Sequence, residues 1–269
     1  MADTPDGWDP LDDFVAHEVT YDDERKTVYR KGEGPAVIVI SEIPGITPAV
    51  AGFARRVADL GCTVAMPSLF GDPGRPMSAG YAASSLLGAC VAKEFATMAT
   101  GRTSPVTVWL RHLARDLHDE VGGPGVGVVG MCLTGGFALA MMVDEEVVAP
   151  VLSQPSLPFP VGGARKRDLG ISGEDLARVK QRVDEGVCVL GLRFTGDMAV
   201  PGDRFARLRE ELGDGFVGVE IDSSKGNPHG IPTNAHSVLT EHLVDEPGHP
   251  TRDALEQVLD LFRERLLSG

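Results

Sequence analysis

The stretch GVVGMCLTGG, Gly127–Gly136, sets a cysteine between an apolar run and a pair of glycines. Its first half continues VGVVG (Val126–Gly130), which reads as a strand buried on both faces, and its second half reads as the start of a helix. Open parallel sheets bind ligands outside the carboxyl ends of their strands, which is where this junction would put Cys132. Two readings follow. Free cysteine is among the most buried residue types, so Cys132 could simply pack. Alternatively, it is a nucleophile held out on a tight turn, with a helix N-terminus behind it to favour the thiolate. The recurring pattern for such a turn is G-x-nucleophile-x-G. Gly130 meets the upstream position, but the downstream one is Thr134, with Gly135 and Gly136 following. An intact turn then requires a shift of one residue.

Outward from this junction, short β-rich runs alternate with amphipathic stretches. AVIVI (Ala36–Ile40), CTVAMP (Cys62–Pro67), VVAPVLS (Val147–Ser153), VCVLGLRF (Val187–Phe194) and FVGVEI (Phe216–Ile221) read as strands. AVAGFARRVADLG (Ala49–Gly61) reads as a helix between the first two, and further helices are expected near 105–120, 136–143, 173–185, 202–212 and 251–267. In the last, Ala254, Val258, Leu261 and Leu266 fall near one face, with Thr251 as N-cap. Alternating strands and helices predict an α/β fold with a doubly wound, mostly parallel sheet. The opening HEVTYDDERKTVYRKGEG (His17–Gly34) reads instead as a polar hairpin, an antiparallel edge to that sheet. Residues 71–104, rich in Gly, Ala, Ser and Met, read as a helical excursion over one end of it. One domain spanning 1–269 is expected, with 1–15 as a poorly ordered arm.

Bulk properties narrow the function. The chain carries 39 acidic and 25 basic residues, a formal charge of −14, which repels phosphate backbones and anionic lipid. Nucleic acid and membrane are therefore not expected partners, and no apolar run nears the roughly 20 residues of a bilayer span. The acidic start MADTPDGWDPLDDF does not read as a secretory signal, and the four cysteines, Cys62, Cys90, Cys132 and Cys188, are scattered without a CxxC pair. A cytoplasmic protein with reduced thiols and no metal is expected. No GxGxxG follows a strand, so no dinucleotide cofactor is expected either.

A reactive thiol needs partners in a set chain order: an acid after a later strand, then a histidine after the last. GLRFTGDMAVP places Asp197 just past Phe194, whereas Asp203 falls in the first turn of the next helix. After the last strand, IDSSKGNPHGIPTNAHSVLTEH offers His229, His236 and His242.

Four segments together are similar to the dienelactone hydrolase family of α/β-hydrolases. VIVISEIPGI resembles that family's strand and Glu-Ile-x-Gly turn, and GMCLTGG its nucleophile elbow. GDMAVP resembles its acid loop, and AHSVLT its histidine loop. The resemblance runs from about Val37 to the C-terminus. It implies an α/β-hydrolase fold that cleaves a small-molecule ester or lactone. Cys132 would be the nucleophile, His236 the general acid and base, and Asp197 the residue orienting the imidazole. The N–H groups of Ile43 and Leu133 would form the oxyanion hole, and Glu42 would pair with the resting thiol. Thr240 stands where the family pattern expects an arginine for a substrate carboxylate, and Arg75 is the candidate to replace it. The competing readings are a non-catalytic protein on this fold and a thiol redox sensor using Cys132.

Overall fold

The computed structural model describes residues 5–91 and 104–268. Strands β1 (Val15–Tyr21) and β2 (Glu24–Lys31) form the hairpin, and β3 (Ala36–Ile40) leads through a loop into α1 (Pro48–Asp59). Next come β4 (Thr63–Pro67), α2 (Ala79–Val91), α3 (Pro105–Val121) and β5 (Val126–Met131). A single 3-10 turn, Cys132–Thr134, joins β5 to α4 (Gly135–Met141). The chain continues through β6 (Val147–Ser153), α5 (Gly163–Arg167), α6 (Gly173–Asp184), β7 (Val189–Phe194) and α7 (Gly202–Leu212). It ends with β8 (Phe216–Ile221) and α8 (Pro250–Phe262).

The eight strands form one sheet in the order β1-β2-β4-β3-β5-β6-β7-β8. β1 and β2 pair antiparallel, as do β2 and β4, and every other neighbouring pair is parallel. Alternate side chains on the central strands feed two cores. On β3, Ala36, Ile38 and Ile40 join one core with residues of α3, α4, α6 and α7, while Val37 and Val39 join the other with α1 and α8. A strand covered on both faces has no polar side, which is why AVIVI carries no alternation.

Local chemistry fixes the helix ends. Thr47 caps α1 by accepting from the Val50 N–H, and Ser104 caps α3 by accepting from that of Thr107. The last helix begins earlier than its sequence pattern indicates. His249 is the cap, its ring nitrogen accepting from the Thr251 N–H, and Pro250 takes the first helical position. Its buried face is Ala254, Leu255, Val258, Leu259 and Phe262, with Leu266 beyond, and Leu261 is only half-buried.

From residue 5 onward, the segment expected as an arm makes contacts with the domain. Leu11 and Phe14 are buried, the Arg55 guanidinium binds both Asp9 and Asp13, and the Asp9 N–H donates to the Gly74 carbonyl. Apolar anchors and a forked ion pair hold the segment to α1. The excursion expected over 71–104 contains α2, while residues 92–103 lie outside the described residues.

Candidate active site

β5 ends at Met131, and the next residue turns sharply. Cys132 has φ +56°, a region that L side chains seldom adopt, followed by the 3-10 turn and α4. This conformation lifts the sulfur off the end of the strand. Its requirements show why glycine occurs where it does. A Cβ on Gly130 would come within 2.1 Å of the Thr134 carbonyl oxygen, and one on Gly135 within 2.6 Å of the Pro155 Cα. The downstream steric demand thus falls on Gly135, one residue beyond the position in the usual pattern. Thr134 has φ −89° and needs no glycine. Its buried hydroxyl accepts from the Met131 N–H at 2.9 Å and donates toward the Met131 and Ile40 carbonyls at 2.8 and 3.0 Å. Threonine therefore staples the turn to the end of β3.

The sulfur is half-buried at the mouth of the sheet. Its Sγ lies 3.4 Å from the Ser156 Oγ and within hydrogen-bonding reach of the His236 ring. The opposite ring nitrogen, Nδ1, lies 2.6 Å from the Asp197 Oδ2. β5 positions the cysteine, the loop after β7 the aspartate, and the long loop after β8 the histidine. Burial alone would push the imidazole pKa down. The bonds to Asp197 and to the sulfur outweigh that and push it up to about 11. Protonation of this ring is thus favoured by an acceptor on each side. Asp197 is itself fixed, its Oδ1 accepting from the Ala199 N–H at 2.9 Å.

The other candidates lie elsewhere. His229 is exposed and packs edge-on against His249, and Asp203 sits exposed in the first turn of α7. His242 is near the site but faces the backbone, its Nδ1 accepting from the Ser237 N–H at 3.2 Å. Burial lowers its pKa.

Two further candidates, Glu42 and Arg75, are held by other partners. Glu42 is only 1% exposed, and its oxygens are taken by the Ser237 hydroxyl at 2.6 Å, the Gln154 amide at 3.2 Å and the Thr240 hydroxyl. It is bound to the histidine loop and to the turn after β6, and the thiol meets Ser156 and His236 in its place. Arg75 pairs with Asp72 and lies over the Tyr81 ring at 4.1 Å. It is absent from the described lining of the cavity, because stacking holds it against α2.

The lining of that cavity, about 420 Å³, includes Cys132, His236, Asp197, Ile43, Leu133, Ser156 and Glu42. The size suits a small organic ligand. Ile43 and Leu133 thus flank the sulfur, where their N–H groups could meet an oxyanion. A larger hollow of about 660 Å³ lies at the β1–β2 edge, against Asp13, His17, Arg30 and Glu120. Its one hydroxyl, that of Thr63, donates to the Gly34 carbonyl at 2.8 Å and not to a base, so chemistry outweighs size in choosing between them.

Sequence patterns missed the loop after β6, which supplies Ser156. Arg204 holds this loop. It is a buried cation whose pKa burial lowers to about 10, and it donates to the carbonyls of Pro155, Pro158, Arg165 and Asp168. The polar run SQPS directly after a predicted strand was the available signal.

An eight-stranded sheet of this order, with a strained cysteine elbow at the end of β5, defines an α/β-hydrolase fold. The dienelactone hydrolase family model matches residues 25–266, and the chain belongs to that family. Solved structures agree in fold. A candidate dienelactone hydrolase from Klebsiella pneumoniae subsp. pneumoniae is 20% identical, with a TM-score of 0.62, covering 93% of this chain and 99% of its own. The dienelactone hydrolase-like promiscuous phosphotriesterase P91, from metagenomic libraries, is 19% identical with a TM-score of 0.58, covering 94% and 99%. A dienelactone hydrolase from Anabaena variabilis is 17% identical with a TM-score of 0.56, covering 94% and 98%. No curated protein sequence matches the chain. Among the described residues, no helix is long and apolar enough to cross a membrane, and no cluster of His, Cys, Asp and Glu could hold a metal ion.

Proposed function

We propose that this protein hydrolyses activated carboxylic esters or lactones through an acyl-cysteine intermediate. The observation that carries the reading is the chain of contacts Cys132–His236–Asp197, with the His236 pKa raised to about 11. A ring held as imidazolium beside sulfur stores the proton that the sulfur gives up, leaving a thiolate to attack the substrate carbonyl. The N–H groups of Ile43 and Leu133 would hold the resulting oxyanion, each such donor being worth about 3 kcal/mol. Collapse of the adduct breaks the bond to the alkoxide, which takes its proton from His236 and leaves an acyl-cysteine. The neutral ring then removes a proton from water, and attack of that water returns the thiolate and the free acid. Asp197 keeps the ring oriented throughout. Thiolate is a good leaving group from a tetrahedral adduct, so esters with stable alkoxides suit the site better than amides.

Free thiols at Cys62, Cys132 and Cys188 fit a reducing compartment, and the reading places the enzyme in the cytoplasm. Mixing with p-nitrophenyl acetate tests it. Wild type is expected to give a burst of nitrophenol of one equivalent and Cys132→Ala none. Equal, slow release by both proteins would refute the reading.

A further inference from the structure

Much of the cavity around the sulfur is apolar. Besides the polar groups, Met77, Phe159, Ala199 and the α2 residues Ala82, Ala83 and Leu86 line the cavity. Among the described lining residues there is no lysine or arginine, and the charged groups present are Glu42, Asp197 and His236. Apolar character does not stop at the cavity. Met198, 89% exposed, stands between the lining residues Asp197 and Ala199. Val161, 76% exposed, follows Phe159 by two residues, and Leu87, 69% exposed, follows Leu86. Single exposed apolar side chains need no explanation, but here three stand within two residues of apolar or catalytic lining positions, and such clusters mark surfaces that meet apolar matter.

We propose that the substrate's acyl group is a neutral aliphatic chain of about four to eight carbons. It runs from the acyl carbon at Cys132 between Met77, Leu86 and Phe159 toward the rim at Leu87, Val161 and Met198. This inference rests on the acyl-cysteine reading above and specifies what that site takes. Three features favour it over a carboxylate-bearing lactone. The wall offers a chain apolar surface to bury. Its described residues offer an anion no cationic partner, since Arg75 is stacked on Tyr81 and Thr240 is bonded to Glu42. The carboxylates of Glu42 and Asp197 in the lining would also repel a second anion.

The test measures kcat/KM for p-nitrophenyl acetate, butyrate, hexanoate and octanoate, and for the mono-p-nitrophenyl ester of adipic acid, a six-carbon chain ending in carboxylate. From acetate to hexanoate, kcat/KM is expected to rise about two- to fourfold per methylene, the upper value corresponding to complete burial of each group. The adipate monoester is expected at least tenfold below hexanoate. Met198→Asp and Leu87→Asp, both at exposed positions, are expected to lower the hexanoate-to-acetate ratio several-fold. Acetate as the best ester, or adipate matching hexanoate, would overturn this inference while leaving the acyl-cysteine mechanism standing. Release from every ester unchanged in Cys132→Ala would overturn both.

Discussion

Two buried carboxylates flank the mouth of the sheet, and their surroundings differ. Asp197 has a titratable partner, the His236 ring at 2.6 Å, which in turn reaches the sulfur. Glu42 has neutral donors, the hydroxyls of Ser237 and Thr240 and the amide of Gln154. In the proposed mechanism the first carboxylate acts on a proton that chemistry can move. The other acts on chain geometry, because its three partners lie on the histidine loop and on the turn after β6. Proximity to a nucleophile does not define a role; the titratable group at the far end of each hydrogen bond does.

The largest expected effect comes from breaking the first arrangement. Asp197→Asn should cut kcat for p-nitrophenyl esters by about 10³–10⁴-fold by removing the acceptor that orients the ring. The pH profile gives a sign as well. Because the bond to Asp197 raises the His236 pKa, acylation in wild type should hold through mildly alkaline pH and fall as pH rises toward 11. In Asp197→Asn that alkaline limb should move to lower pH. An unmoved limb would show that the titrating group is not His236.

Glu42→Gln should do less to the chemistry and more to the fold. One acceptor becomes a donor amid existing donors, which costs about 1–3 kcal/mol of stability and lowers kcat by about tenfold as the loops loosen. Alkylation of Cys132 by iodoacetamide should keep its pH dependence. A shifted dependence would instead make Glu42 a partner of the thiol. The smallest expected effect is that of Thr134→Val, which keeps the shape of the turn but leaves the buried Met131 N–H without its acceptor. A stability loss of about 1–3 kcal/mol by denaturant titration is expected, with activity reduced only a few-fold.

These contrasts also show what the sequence could convey. Alternating apolar runs and helical periods exposed the parallel sheet, because strands buried on both faces and helices packed on one leave different local patterns. Chain order pointed to Cys132, Asp197 and a histidine after the last strand, because each follows the end of a strand, and the likeness of AHSVLT to the family's histidine loop chose His236 among three. Glu42 resisted such reading, since its partners lie 112, 195 and 198 residues away and a short motif carries no record of them. Arg75 was equally opaque: only the fold reveals that Tyr81 lies under its guanidinium. Thr134 looked like a departure because the usual pattern counts glycines, whereas the turn demands space, and here it does so at Gly135. The N-terminal segment looked like an arm because Leu11 and Phe14 are isolated in an acidic stretch, with nothing local to show that α1 receives them.

The most direct measurement is peptide mapping by mass spectrometry after a millisecond acid quench with p-nitrophenyl hexanoate. The account predicts a hexanoyl group on the peptide containing Cys132 in wild type, building up within the burst and strongly diminished in His236→Ala. An acyl group on another residue, or none on Cys132 while turnover proceeds, would contradict it.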